Sequence, residues 1–340
     1  VKERPTIFAL LACLAVSCGD ETDPETQALL DVKAYTESEL ESLAVAIDDL
    51  REATPEPDAD GWNPTDDAAA VEEMKAAWRR ARASYERIEG AIAVLFPMVD
   101  RSTDERYDGF IEAGPDAMLF DGEGVTGMHA VERILWADAH PPEVVAFESA
   151  LPNYVAPAFP ANEAEARAFR DELLQRLADD IGGMREDFAP LALDPAAAFR
   201  GVIGSMAEQL EKVNLAATGE DESRYSQNTL GDMRANLEGG RAIYEAFRPW
   251  LGDQPQGEAR DAAVIGGLDR IEAAYDGIDG DAIPAVPATW NPEAPSAEDL
   301  ATPYGQLFEL LSRESDPDDA DSVVAAMSDA ADALGIPQLP

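Results

Sequence analysis

Asp66 to Phe96 reads DDAAAVEEMKAAWRRARASYERIEGAIAVLF. Its apolar positions Val71, Met74, Trp78, Ala81, Tyr85, Ile88, Ile92 and Leu95 advance by alternating steps of three and four. That is the period of a helix carrying one unbroken apolar stripe, so the spacing predicts a single long helix facing a helical neighbour. Phe199, Val202, Met206, Leu210 and Val213 repeat the pattern, as do Val264, Leu268, Ile271, Tyr275 and Ile278. Further helices are expected over 26–53, 125–138, 163–188, 228–251 and 318–334, with shorter ones near 142–155 and 298–313. Asp23-Pro24, Asn63-Pro64, Asp194-Pro195, Asn291-Pro292 and Asp316-Pro317 punctuate these stretches as helix-start or turn signals. No alternating β pattern of useful length intervenes. The fold class expected is all-α, with long up-and-down helices packed as two bundles.

A chain of 340 residues has material for two modest domains. Ala156-Pro157 and Pro160-Ala161 interrupt the helical pattern, so a first bundle is expected over 26–157 and a second over 158–340. The segment from Asp279 to Pro295 is rich in Pro, Gly and Asp and reads as a surface loop.

Acidic side chains number 69 against 25 basic ones, a formal charge of −44. A field this negative excludes charge-driven binding to nucleic-acid phosphates or to an anionic membrane, and it attracts cations. The hydrophobic share of 46% is that of an ordinary globular chain, so the acid excess does not imply wholesale disorder. Lysine occurs only at Lys2, Lys33, Lys75 and Lys212.

The first residues read as an export leader. Lys2 and Arg4 precede an apolar run from Thr6 to Ser17, shorter than the ~20 residues that cross a bilayer. Ala15-Val16-Ser17-Cys18 resembles a lipobox, which makes residues 1–18 the signal and lipidation segment and Cys18 the anchor. Residues 19–25 would then be an acidic tether, and the protein a periplasmic or outer-surface lipoprotein touching the membrane only through its lipid. Cys13 and Cys18 are both in this leader, so thiolate catalysis and cysteine-ligated metals are excluded from the body.

The body holds two histidines. His140 precedes Pro141-Pro142 and is expected to face solvent at a helix end. His129 and Glu132, three apart, share one helix face and make a ready pair of metal ligands. Glu86 and Glu89 are also three apart, at the edge of the stripe. Two like charges held there repel unless a cation or proton intervenes.

The blocks Ala81 to Glu89, Asp104-Glu105-Arg106 and Gly127-x-His129-x-x-Glu132-x-x-Leu135-Trp136 resemble the imelysin family in its EfeO/EfeM branch. Ala34 to Leu40 is similar to that branch's first helix, and Gly219 to Ser226, with Asp232, Asn236, Glu238 and Gly239, to its second-half signature. The resemblance implies two helical bundles with a metal site near the His-x-x-Glu helix, in an extracytoplasmic protein serving iron uptake beside a membrane permease and a haem peroxidase-like partner. It carries the ligand set Glu86, Glu89, Asp104, His129 and Glu132, with Asp108 as an extra. Only the short acidic segment precedes the first helix here, which resembles the shorter EfeM form. Gln227, Asn228 and Thr229 stand where the family often has His and Asp.

One imidazole with several carboxylates suits Fe²⁺, Fe³⁺ or Mn²⁺, and admits Zn²⁺ or Cu²⁺. The leading expectation is an iron-binding carrier without enzymatic activity. A metallopeptidase is the alternative, with Glu86 or Glu132 as general base, although His-Glu-x-x-His does not occur. A third reading is a scaffold whose cleft is lined by Trp62, Trp78, Trp136, Trp250 and Trp290.

Overall fold

The computed structural model describes residues 22–112, 114–116 and 118–337, and all regular structure among them is helical. The elements are α1 (Pro24–Ala53), α2 (Ala68–Glu86), α3 (Glu89–Leu95), α4 (Pro97–Asp104), α5 (Tyr107–Ile111), α6 (Gly127–Leu135), α7 (Pro142–Ser149), α8 (Glu163–Ala168), α9 (Leu174–Phe188), α10 (Pro195–Ala216), α11 (Thr229–Gly252), α12 (Gly257–Asp276), α13 (Ala297–Leu300), α14 (Pro303–Glu314) and α15 (Val323–Ala333). A five-residue π turn, Phe169–Leu173, joins α8 to α9 without a break. Cys18 and its leader lie outside the described residues. Of the expected tether 19–25, Pro24 and Glu25 already belong to α1.

Local chemistry explains where the helices begin. Asp23 caps α1 by accepting from Thr26 N at 3.0 Å, with Pro24 in the first turn. Asp194 caps α10 through Ala196 N at 2.8 Å, with Pro195 in the same role. The other three Pro steps sit in turns. Ser322 rather than Asp316 starts the last helix, accepting from Ala325 N, so α15 is shorter than the expected 318–334.

The 66–96 stripe is not one helix. It breaks at Arg87-Ile88, between α2 and α3, while its apolar residues stay on one side. The break makes room for α11: a Cβ on Gly239 would stand 1.9 Å from Arg87 O, so only glycine lets α11 cross there. Because Ile88 and Ile92 remain buried beyond the break, the stripe's period survives it.

Buried apolar side chains form two cores. The first holds Leu40 to Leu50 of α1 with α2, α6, α9 and Tyr225; the second holds Ala28 and Val32 of α1 with α10, α11, α12, α14 and α15. Residues 163–188, expected in the second bundle, pack into the first, where Phe169, Leu173, Leu177, Ile181, Met184 and Phe188 are all buried. The changeover falls between Phe188 and Ala196 rather than near 156–163. The Pro-rich segment there is a connector instead, tied down by Trp62 N donating to Pro160 O at 3.1 Å. Trp62, Trp78 and Trp136 belong to the first core, and Trp250 and Trp290 pack against the second. Tryptophan at helical spacing thus serves packing here, not a cleft lining.

Candidate metal centre

His129 owes its position to the two residues before it. Gly127 opens α6 at φ +82°, and a Cβ there would lie 2.4 Å from Thr103 O. Both the left-handed backbone and the close approach require glycine, and together they bring α6 against the C-terminal end of α4, where Asp104 sits. On the far side of α6, Trp78 Nε1 donates to Met128 O at 2.9 Å and ties the helix to α2. The Gly-x-His spacing is a packing device that delivers an imidazole to a carboxylate.

The imidazole is 1% exposed. Its Nδ1 lies 2.9 Å from Glu132 Oε2, and its Nε2 faces Asp104 Oδ1 at 3.4 Å without a hydrogen bond. Asp104, His129 and Glu222 each aim one ligand atom so that all three lie within 4.8 Å of one another. Glu86, Glu89, Asp104 and Glu222 do the same. The helix break contributes directly, since Glu86 ends α2 and Glu89 begins α3.

Two buried cations share this cluster. Arg82 pairs with Glu86 and Asp104, with Glu222 at 3.0 Å and with Asp232 at 3.4 Å. Lys212 Nζ lies 3.2 Å from Glu86 Oε2, 3.2 Å from Glu89 Oε2 and 2.7 Å from Glu222 Oε2. Five carboxylates therefore face two permanent positive charges. The imbalance appears in their protonation. Burial lifts Glu89 to about 7 against the pull of Lys212, and lifts Asp232 to about 6 against that of Arg82. Burial also drives Glu86 well above the ordinary range. Glu222 goes the other way: burial opposes its charge, but Lys212 and Arg82 prevail and hold it far below. For His129 burial disfavours the cation, yet the Asp104 and Glu132 carboxylates outweigh it and raise the group to about 9.

Of the five expected ligands, Glu86, Glu89, Asp104 and His129 meet here. Glu132 does not. Its Oε2 holds the back of the imidazole, and its Oε1 accepts from Tyr225 N at 3.1 Å, Ser226 N at 2.8 Å and Ser226 Oγ at 2.7 Å. With Oε1 taken by three donors and Oε2 by the imidazole, and with Glu132 in neither ligand cluster, this acid orients the ring and docks the 223–226 turn on α6. Asp108 is likewise committed, to Arg224 at 2.5 Å. His140 is not simply solvated: it stacks on Tyr225 with ring centroids 4.5 Å apart, and its Nε2 meets Arg133 O at 3.0 Å.

The sequence reasoning missed Glu222, Asp232 and Lys212. Glu222 stands inside the quoted second-half block, and Lys212 is one of only four lysines, which were the available signals. Asp232 is held by Ser223 and by Asn228 Nδ2 at 2.8 Å, so the block's departure at 227–229 leaves this acid anchored. Asn236 Nδ2 donates to Glu89 Oε2 at 2.8 Å. A cavity of about 250 Å³ adjoins the cluster, lined by Glu89, Asp104, Lys212 and Glu222 and by Glu208 and Glu211 of α10.

The family model for imelysin matches residues 32–313 of this chain. The iron uptake system component EfeO of Escherichia coli strain K12 is 28% identical over 214 residues, which is 63% of this chain and 47% of the relative. EfeO of Shigella flexneri and of Escherichia coli O157:H7 align with the same identity and coverage. The chain spans about half the length of the curated relatives it matches.

Proposed function

The chain belongs to the imelysin family, and on that premise we propose that it is an iron-uptake component that takes up a single iron ion as cargo at the His129 centre. His129, Asp104 and Glu222 are the primary ligands in this reading, with Glu86 and Glu89 completing an oxygen-rich shell. One observation carries it: the buried His129 Nε2 lacks a hydrogen bond and points at carboxylate oxygens within ligand range. A buried polar atom left unpaired is costly, and a cation bridging it to those carboxylates removes the cost. The mixed imidazole and carboxylate donors suit Fe²⁺ or Fe³⁺, and Mn²⁺ as a mimic, over soft metals.

We read the centre as a carrier rather than a peptidase. A general base needs a free carboxylate beside the metal. Glu86 is held by Arg82, which stays in place, and Glu132 by Tyr225 and Ser226. Release of cargo implies a receiving permease, and the export leader implies a place in the cell envelope. No helix among the described residues is long and apolar enough to cross a membrane.

Anoxic calorimetry with Fe²⁺ tests the assignment. His129→Ala and Glu222→Gln proteins, with helicity checked by circular dichroism, are expected to bind at least roughly tenfold more weakly, the usual scale for losing one metal ligand or its support. Wild-type affinity in both would overturn it.

A further inference from the structure

Lys212 already holds three of the acids that a cargo ion at this centre would draw on. Its Nζ contacts one oxygen each of Glu86, Glu89 and Glu222, and those three acids, with Asp104, each offer a ligand atom within 4.8 Å of the others. An ammonium and a divalent cation ask for the same thing, several carboxylate oxygens around one centre, and two cations cannot share that volume. Arg82 is different. It is 0% exposed, gripped by four carboxylates and absent from the cavity wall. Lys212 lines that cavity, and its stem is the flexible one of the two. Glu208, one helical turn earlier on α10, lines the same space, so an alternative partner lies within reach of the rotating side chain.

We infer that Lys212 is a displaceable counter-ion: its ammonium holds one oxygen each of Glu86, Glu89 and Glu222 until the cargo ion enters, then swings into the adjoining cavity toward Glu208. The inference rests on the carrier reading above and adds the exchange step to it. Uptake is then a swap of one cation for another, which spares the empty centre the repulsion of bare acids and limits affinity enough for release.

The full chain, titrated with Mn²⁺ as a redox-stable probe, tests this by lysine acetylation read by mass spectrometry. Without metal, Lys212 is expected to be refractory. At saturating Mn²⁺ it should label at least roughly fivefold faster, while Lys33 and Lys75 stay constant as internal standards, because the amine trades a buried ion pair for a solvent-facing one. In equilibrium dialysis, Lys212→Met should bind Mn²⁺ roughly tenfold more tightly. If Lys212 labelling does not respond to Mn²⁺ while Glu222→Gln abolishes binding, the exchange is overturned and the carrier reading stands. If His129→Ala and Glu222→Gln both bind Mn²⁺ like the wild type, the carrier reading falls and the exchange with it. Should Lys212→Met fail to fold, the labelling experiment on the unaltered chain decides alone.

Discussion

Glu314 in the second core and Glu86 at the candidate centre are both carboxylates with no exposed side-chain surface, and the protein treats them oppositely. Glu314 accepts from Arg270 Nε at 2.7 Å and Nη2 at 2.9 Å, from Arg313 Nη2 at 2.6 Å and from Val323 N at 3.0 Å. Burial alone would raise its pKa, but the hydrogen bonds with Arg270 and Arg313 prevail and lower it. Glu86 shares Arg82 and Lys212 with four other acids, and burial drives it up. Burial is common to both. The supply of positive charge per carboxylate separates an acid that fastens α12 to α14 from one whose two cations are shared out among five acids.

The largest test removes the satisfied acid. Glu314→Ala leaves Arg270, Arg313 and Val323 N without their shared acceptor, and should cost about 3 kcal/mol in urea unfolding while Mn²⁺ binding stays unchanged. A loss below about 1 kcal/mol would erase the distinction between the two acids.

The pH dependence has opposite sign at the two places. Glu314, lowered on folding, contributes stability that is present above its unfolded value and lost as pH falls through the folded one. Glu89, raised to about 7, costs nothing below its unfolded value near 4.5 and costs progressively more as pH rises to 7. His129 adds to that slope, since its contribution is complete below 6.5 and fades as pH climbs through about 9. With metal chelated, stability should therefore fall between pH 5 and 8 in the wild type, and the fall should be smaller by on the order of 2 kcal/mol in Glu89→Gln, with the His129 slope remaining. Identical profiles in chelator would break the comparison.

Asn236→Ala removes an amide donor on Glu89 and the acceptor shared by Ser205 Oγ and Gln209 Nε2, and should cost about 2 kcal/mol of stability, with a several-fold loss of Mn²⁺ affinity. The smallest effect is expected from Glu86→Gln. It imitates the protonated acid, so stability without metal should shift by less than about 1 kcal/mol while binding weakens. A collapse of the fold would mean that Glu86 is as structural as Glu314.

Much of this was legible in the residue order. The three-four spacing of Val71 to Leu95 identifies the helical stripe, and the resemblance pointed to His129, although Gly127, expected inside a helix, turned out to start it. The break at Arg87-Ile88 was not legible, because the apolar period runs through it and the backbone it packs against, at Gly239, lies on a distant helix. Glu132 was misread for a related reason. A His and an acid three apart on a helix share a face, but the spacing does not say which of them looks toward the cluster and which toward Ser226.

The chain's own periodicity determined that it is helical, and capping residues where several helices start, because those preferences act between residues a turn or two apart. Composition likewise set the acid excess that draws cations. Which acids are neutralised, and by what, was decided only when α2, α4, α6 and α10 packed. Lys212 meets Glu86 across 126 positions of sequence, and a charge balance assembled over that separation has no local pattern to announce it.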